Sequence, residues 1–256
     1  RNLACVGADP AAITDCLNFG SPEKPEVFYT FHEAIRGLAD ACTELGVPVV
    51  SGNVSFYNEY QGAPILPTPA IGMVGVIDDL SAVIGSAFLS EGDTIVLLGE
   101  TADELGGSEY LAGAHGLVTG ALPELDLEHE ATLGALMRDL IGDRLLHSAH
   151  DCSEGGLAVA LAESCVGGRL GATVTLDDDL RPAASLFSET QGRIVVSVQD
   201  DDVDHVLDAA ERYGVPYSVI GEVGGDRIVI EGKVDIALAD AIDAFEESLG
   251  RLVGEV

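Results

Sequence analysis

The sequence predicts an α/β protein, in the broad sense that includes α+β folds, with two domains. Residues 1–78 hold short apolar strand patterns separated by Gly, Pro and polar strings. After Asp78, apolar runs typical of strands alternate with apolar residues at helical spacing. The chain has 256 residues, 47% of them hydrophobic, which is enough to bury a core without disulfides. We therefore expect one domain over residues 1–80 and another over 81–256.

The first domain is expected to contain strands around one helix. Apolar spacing predicts a helix over residues 32–45, with Gly46 as its C-terminal cap. Strands are predicted over residues 11–19, over 47–50 and within 64–77. The segment SGNVSFYNE, residues 51–59, is predicted to be a loop after the second strand.

The second domain is expected to alternate strands and helices. Two of its strands are predicted to pair with each other around the turn at Gly224 and Gly225. The predicted strands cover residues 94–98, 145–149, 194–198, 215–220 and 227–230, and the predicted helices cover 127–141, 157–165, 203–213 and 238–249.

Charge excludes two classes of partner. The chain has 44 acidic and 12 basic side chains, a formal net charge of -32. It lacks the basic face that binds nucleic acid or an anionic membrane. The carboxylates are spread over the whole chain, which predicts a protein of concentrated salt, where like-charge repulsion is screened. The alternative is an acidic protein that keeps its structure in dilute buffer.

Cysteine usage indicates a cytoplasmic protein. The five cysteines include no CxxC pair, and they are expected to be reduced thiols in the core (Cys5, Cys16, Cys42, Cys152, Cys165). No apolar run approaches the roughly 18 residues of a membrane helix, and no signal peptide is visible. Because the chain starts at Arg1 rather than Met, we expect it to be a piece of something longer.

Several common catalytic signatures are missing from the sequence. It has no Walker-type phosphate loop, no GxGxxG and no GxSxG. His147 and His150 are either part of a zinc site, for which further ligands at matching spacing are lacking, or an ordinary pair near a strand end.

Two strings in the first domain are candidates for a site. Asp15 stands at the end of an apolar strand, before a Gly- and Pro-rich loop, and either contacts a nucleotide or Mg²⁺ or caps the next turn. In the second string, the small residues Ser51 and Gly52 let a ligand approach the backbone closely. Asn53 offers an amide oxygen to a hard cation, and Ser55 offers a hydroxyl to a phosphate or carbonyl.

Two further strings lie in the second domain. HDCSEGG, residues 150–156, either starts a helix whose N-terminus receives an anion, or is a capping box with Asp151 or Ser153 as N-cap. LFSETQGR, residues 186–193, is either a ligand loop or a solvated connection.

These strings together resemble one known family. They are similar to the synthase subunit of phosphoribosylformylglycinamidine synthase, in the family's order and over nearly the whole chain. The resemblance is to the second half of that subunit, and to the wider AIR synthetase-like superfamily of ATP-dependent enzymes. It implies a barrel-forming N-terminal domain, incomplete at its start, and a C-terminal α/β domain. The strings that carry it are TDCLNFGSPEKPE, PVVSGNVSFYNE, PTPAIGMVGVI, HDCSEGGLAVALAES and FSETQGR.

The resemblance also implies a function. This is the ATP-dependent amidation of formylglycinamide ribonucleotide in purine biosynthesis, with ammonia from a glutaminase subunit. The family pattern implies ATP contacts at Asp15 and Gly52, Mg²⁺ at Asn53 and substrate at Ser55. It places the catalytic residues in the first half, so this chain is expected to be inactive alone.

The resemblance implies partners too: the glutaminase subunit, a small accessory subunit, and the missing first half or a second copy of the chain. The alternatives are a non-catalytic nucleotide-binding scaffold and another ATP-dependent enzyme of the same superfamily.

Overall fold

Two units of different size make up the computed structural model, which describes residues 1–254. The smaller unit is Ala8–Asp78, and the larger unit contains Arg1–Gly7 and the chain from Asp79 onward. The larger unit therefore draws its first helix from the start of the chain. No helix within residues 1–254 is long and apolar enough to cross a bilayer.

The smaller unit is a three-stranded sheet with one long helix. The strands have the order β2-β1-β5, with β1 parallel to β2 and antiparallel to β5. Leu17, Phe19 and Val27 are buried together, and Phe31 and Leu38 of the helix pack against them. The elements of this unit are β1 (Asp9–Asn18), α2 (Pro25–Glu44), β2 (Val49–Ser55), the short hairpin β3 (Glu59–Tyr60) and β4 (Ala63–Pro64), and β5 (Thr68–Val76).

Helix α2 starts seven residues before the predicted bound at residue 32. Pro25 occupies its first turn, where a missing N–H costs nothing. The prediction started late because Phe28 and Tyr29 are exposed and break the apolar pattern. The predicted cap is confirmed: Gly46 has a φ of 66°, and the Val47 N–H donates to the Cys42 carbonyl over 3.0 Å.

The larger unit is built on a seven-stranded mixed sheet of order β12-β11-β8-β10-β6-β9-β7. Its helices are α1 (Asn2–Cys5), α3 (Glu109–His115), α4 (Leu127–Gly142), α5 (Gly156–Gly168), α6 (Pro182–Phe187), α7 (Val203–Tyr213) and α8 (Leu238–Val253). Its strands are β6 (Thr94–Leu98), β7 (Ser148–Asp151), β8 (Ala172–Val174), β9 (Ile194–Val198), β10 (Tyr217–Val223), β11 (Arg227–Ile230) and β12 (Val234–Ala237).

Both faces of this sheet are buried. Val96 and Leu98 of β6 belong to a core cluster that includes α4 and α7. The alternate residues Ile95 and Leu97 belong to a second cluster that includes α5 and the start of α8. A strand whose successive side chains enter two cores is expected to be a continuous apolar run, as the sequence of β6 is. The α/β prediction is confirmed.

One predicted strand pairing is wrong. Strands β10 and β11 were expected to pair with each other, but β8 lies between them. Strand β8 pairs with β10 through Gly221 and with β11 through Ile228. The turn at Gly224 and Gly225 therefore joins two strands that are separated by one position in the sheet. The three residues of β8 were too few to give a strand pattern in the sequence.

The cysteines divide into two groups. All five are free, and Cys5, Cys152 and Cys165 are buried as expected. Burial raises the pKa of Cys5 to about 12, of Cys152 to about 11 and of Cys165 to about 12. The core expectation is wrong for Cys16, which is exposed, and holds only in part for Cys42, which is half-buried. Ile13 and Leu17 point to the buried face of β1. Because side chains alternate along a strand, Cys16 lies on the other face.

These thiols give a test of the fold. We expect iodoacetamide at pH 8 to label Cys16 and to leave Cys5, Cys152 and Cys165 unmodified, because only the thiolate attacks and burial holds these three protonated. Peptide mass spectrometry before and after unfolding in guanidinium measures each site. Labelling of Cys165 in the folded protein at the rate of Cys16 would contradict the structure.

Candidate active site

The parallel pairing of β1 with β2 brings two of the predicted site residues side by side. Asp15 is the register partner of Gly52, and Asn18 is the partner of Ser55. The prediction of a loop from residue 51 is wrong, since β2 continues through Val49–Ser55. Asp15 lies inside β1, three residues before that strand ends, so the alternative that it caps a turn is wrong as well.

The Asp15 carboxylate lies directly over Gly52. A Cβ atom on Gly52 would be 2.4 Å from Asp15 Oδ1 and 2.7 Å from its Cγ, closer than real side chains come. Any larger residue at this position would force the Asp15 side chain out of its present rotamer. Because β2 is an edge strand of this three-stranded sheet, the carboxylate leans toward that edge.

The four predicted residues lie on two faces of the sheet. Asp15 shares a face with Ile13 and Leu17, because successive side chains of a strand alternate. Asn53 and Ser55 lie on the opposite face. They belong to a surface of small, mostly polar side chains that we call the polar face: Thr14, Cys16, Asn18, Ser51, Asn53, Ser55, Thr68, Ala70 and Gly72.

The polar face contains Thr14, which the sequence analysis missed, and gives Ser51 a side-chain contact that it did not predict. The Thr14 and Ser51 hydroxyls are 2.7 Å apart and hydrogen-bonded across the two strands. The signal was present in the sequence, since residues 51, 53 and 55 are polar at a spacing of two, which is typical of a strand with one polar face. Their small size and loop-like composition concealed that pattern.

Asn53 and Ser55 are the two predicted residues that the polar face presents. Asn53 is exposed and presents an amide oxygen, and Ser55 is half-buried and presents a hydroxyl. The Asp15 carboxylate fills the space of the missing Gly52 side chain, so the backbone of β2 is open to a ligand along its edge and not from that face. A hydroxyl, an amide and backbone peptide groups in this arrangement suit a ligand rich in phosphate and carbonyl oxygens.

A magnesium ion fits this site if the ligand supplies most of its oxygens. Within residues 1–254, no group of three His, Cys, Asp or Glu side chains is placed to hold a metal. Mg²⁺ keeps several waters and binds through one or two protein oxygens plus phosphates. The Asn53 amide oxygen is suited to that single contact.

The two strings of the second domain meet at Glu189. Its Oε1 accepts hydrogen bonds from the backbone N–H groups of Gly155 and Glu109, each over 2.9 Å. Gly155 is the N-cap of α5, so neither Asp151 nor Ser153 caps the helix. The anion at this N-terminus is the protein's own carboxylate.

Arg193 holds the string LFSETQGR, residues 186–193, in place. Its side chain is fully buried, and its guanidinium donates to the carbonyls of Thr190 (3.0 Å) and Ser188 (2.6 Å) and to the hydroxyl of Thr101 (2.8 Å). Burial lowers the pKa of Arg193. The segment around residues 186–193 is therefore an ordered internal junction, which excludes the solvated connection.

The two histidines make separate contacts. His147 Nδ1 is 2.8 Å from Asp93 Oδ2, and His150 Nε2 is 2.9 Å from Glu163 Oε2. These contacts favour the ordinary pair near a strand end over the zinc alternative, and neither histidine belongs to a metal cluster in the described chain.

Models of known protein families match both parts of this chain. The model of the AIR synthase related protein N-terminal domain matches residues 1–77, and that of the C-terminal domain matches residues 90–233. The chain belongs to the AIR synthase related proteins. The predicted AIR synthetase-like fold is confirmed.

Among these AIR synthase related proteins, the chain is similar to phosphoribosylformylglycinamidine synthase subunit PurL, as the resemblance implied. It is 56% identical to PurL of Moorella thermoacetica over 230 residues, which cover 90% of this chain and 31% of that protein. The similarity to PurL of Thermomicrobium roseum is 48% over 253 residues, which cover 97% and 34% of the two proteins. The chain thus spans about a third of the length of these curated relatives.

Two solved structures share the fold. Thermotoga maritima PurL complexed with FGAR has a TM-score of 0.76 at 23% identity, covering 94% of this chain and 41% of that one. The same protein complexed with ATP has a TM-score of 0.71 at 23% identity, covering 94% and 39%. Both likenesses extend over nearly all of this chain.

Gly52→Ala tests the packing of Asp15. We expect it to lower the free energy of unfolding by about 0.5–1.5 kcal/mol, because the new methyl group forces the Asp15 side chain out of its rotamer. The control is Gly37→Ala, since a Cβ at Gly37 in α2 meets no atom within 4 Å; alanine there should stabilise the helix by about 1 kcal/mol.

Urea denaturation followed by circular dichroism measures both variants. The double variant Asp15→Ala/Gly52→Ala should be more stable than the two separate effects predict, because the overlap is gone. Additive effects would show that the carboxylate does not lie over Gly52.

Proposed function

We propose that this chain is the C-terminal part of an ATP-dependent carbon–nitrogen ligase that converts formylglycinamide ribonucleotide to the corresponding amidine. The support is the β1–β2 pair, with Asp15 over Gly52 on one face and Asn53 and Ser55 on the other, in a chain 56% identical to a PurL subunit. The chain spans about a third of those relatives, so the whole reaction needs residues that lie elsewhere.

The reaction takes place in two steps. The amide oxygen of the substrate attacks the γ-phosphorus of ATP, ADP leaves, and a phosphorylated imidate forms. Ammonia then adds to the imidate carbon, inorganic phosphate leaves with the oxygen, and a lost proton completes the amidine. Phosphoryl transfer of this kind depends mainly on positioning and on neutralising phosphate charge.

Each of the four predicted site residues contacts ATP, Mg²⁺ or the substrate. Asp15 and the backbone at Gly52 contact ATP at the edge of β2, and the Asn53 amide oxygen contributes one ligand to Mg²⁺. The Ser55 hydroxyl contacts the substrate. The metal carries much of the charge neutralisation, because the chain has a net charge of -32 and repels phosphate.

The remaining partners follow from the same proposal. The catalytic residues belong to the first half of the synthase, ammonia comes from a glutaminase subunit, and a small accessory subunit completes the assembly. The small unit leaves large apolar side chains of its sheet exposed, which suits contact with the first half or with a second copy of the chain (Val49, Val50, Val54, Ile71, Val74, Val76).

Asn53→Ala tests the metal contact. Loss of groups that only orient metal ligands costs about 10–100-fold, so loss of a direct ligand should reduce kcat/KM at limiting Mg²⁺ at least about tenfold. High Mg²⁺ should restore part of the activity. The measurement is phosphate release by the complete synthase with ATP, substrate and ammonium chloride.

Asn2→Ala is the matched control for that measurement, since it removes an exposed amide from the larger unit. An unchanged Mg²⁺ dependence in Asn53→Ala would remove the metal role. Nucleotide binding without turnover in the complete protein would favour a scaffold instead of an enzyme.

The cytoplasm of a cell with concentrated salt is the environment we propose for this protein. Acidic side chains cluster at residues 177–179 and in the 3-10 helix Asp200–Asp202. Exposed cations lie beside carboxylates, which leaves little free positive charge: Lys24–Glu59, Arg36–Glu33, Arg144–Asp79, Arg169–Glu246, Arg181–Asp103, Arg227–Asp235 and Arg251–Asp243.

The salt proposal has a direct test. We expect the thermal midpoint to rise between 0.1 M and 3 M KCl, because the screening length falls from about 10 Å at 0.1 M to about 3 Å or less above 1 M. Asp201→Asn, which removes one charge from an exposed acidic position, should raise the midpoint more at 0.1 M than at 3 M. Circular dichroism measures both, and a midpoint independent of salt would contradict the proposal.

A further inference from the structure

The turn after β2 folds back onto the end of β1. Tyr57 has a left-handed φ of 61°, and its N–H donates to the Gly20 carbonyl over 3.1 Å. The N–H of the next residue, Asn58, donates to the Phe19 carbonyl over 3.1 Å. These bonds bring the side chain of Asn58 back to Ser55, three residues earlier.

The carboxamide of Asn58 connects the ends of both strands. Its Nδ2 has two hydrogens to share among three nearby acceptors, and two of these are the carbonyls of Phe19 (3.1 Å) and Ser55 (3.0 Å). The same nitrogen is 3.1 Å from the Ser55 hydroxyl oxygen, and Asn58 Oδ1 is 3.3 Å from that oxygen. The half-buried Asn58 therefore holds the hydroxyl from both ends of its amide.

This contact decides what the Ser55 hydroxyl can do. A hydroxyl has one hydrogen to donate and two lone pairs to accept with. When one Nδ2 hydrogen goes to the hydroxyl oxygen and the other to a backbone carbonyl, the hydroxyl hydrogen can turn from Oδ1, which is 3.3 Å away, toward an incoming oxygen. The amide thus fixes the position of the oxygen and leaves the hydrogen available to a ligand.

We propose that Asn58 is a positioning residue that orients the Ser55 hydroxyl as a donor to an oxygen atom of the ribonucleotide substrate. The inference rests on the proposed function, in which Ser55 contacts that substrate. Asn58 itself touches no ligand, and it acts through Ser55.

Asn58→Asp is the primary test variant. A carboxylate has nearly the same shape but cannot donate to Ser55, and it accepts the hydroxyl hydrogen that the substrate needs. In the complete synthase with ammonium chloride, we expect the KM for formylglycinamide ribonucleotide to rise about tenfold, the effect of roughly one hydrogen bond. The kcat and the KM for ATP should change much less, since the lost contact is to the substrate.

A double-mutant cycle separates positioning from a general structural role. Ser55→Ala should raise the same KM by a similar factor, and Ser55→Ala/Asn58→Asp should raise it no further than either single variant. Ser55→Thr, which keeps the hydroxyl, should retain a KM near that of the wild type. Asn2→Asp is the control for the added charge, and Asn58→Ala repeats the cycle without any added charge.

The outcomes are distinct. Effects on KM that multiply in the double variant would overturn the role of Asn58 while leaving the proposed function in place. An unchanged KM in Ser55→Ala, or a complete synthase that forms no amidine, would instead contradict the proposed function, and the inference with it. Loss of cooperative unfolding in both Asn58→Asp and Asn58→Ala would make Asn58 a structural residue and overturn the inference.

Discussion

The parallel pairing of β1 with β2, connected by α2, is the constraint on which the candidate site depends. Parallel neighbours run in the same direction, so the ends of both strands meet at one place, and a residue near the end of one lies beside a residue near the end of the other. This pairing sets Asp15 against Gly52 and Asn18 against Ser55. The close fit of the Asp15 carboxylate over Gly52 couples the two positions, because a Cβ at residue 52 would displace the carboxylate.

Alternation along the strands divides the site between two faces. Asp15 lies on the face that packs toward α2, and Asn53 and Ser55 lie on the polar face. The proposed ligand therefore has to reach both faces past the edge of β2. The turn at Tyr57 and Asn58 supports the polar face from behind the strand ends. Its backbone hydrogen-bonds to the residues that follow β1, and the Asn58 side chain contacts the Ser55 hydroxyl.

Sequence reasoning predicted the elements with a clear period and missed those without one. Helix α7 and strand β9 match their predicted bounds, because their apolar residues recur regularly over enough positions. Strand β8, with three residues, gave no period, and its omission produced the wrong pairing of β10 with β11.

Residues 51–55 were predicted as a loop because small polar residues outweighed their alternation. The buried Arg193 could not have been predicted, since only the folded chain brings Thr101 and Ser188 to its guanidinium.

The central claim is that the edge of β2 holds a metal-bound nucleotide with Asn53 at the metal. Crystals of the complete synthase grown with Mn²⁺ and a non-hydrolysable ATP analogue measure this directly, because Mn²⁺ gives an anomalous signal. The account predicts an anomalous peak about 2.0–2.3 Å from Asn53 Oδ1, with the phosphates beside Gly52. A peak bound only to residues outside this chain, with Asn53 facing solvent, would contradict it.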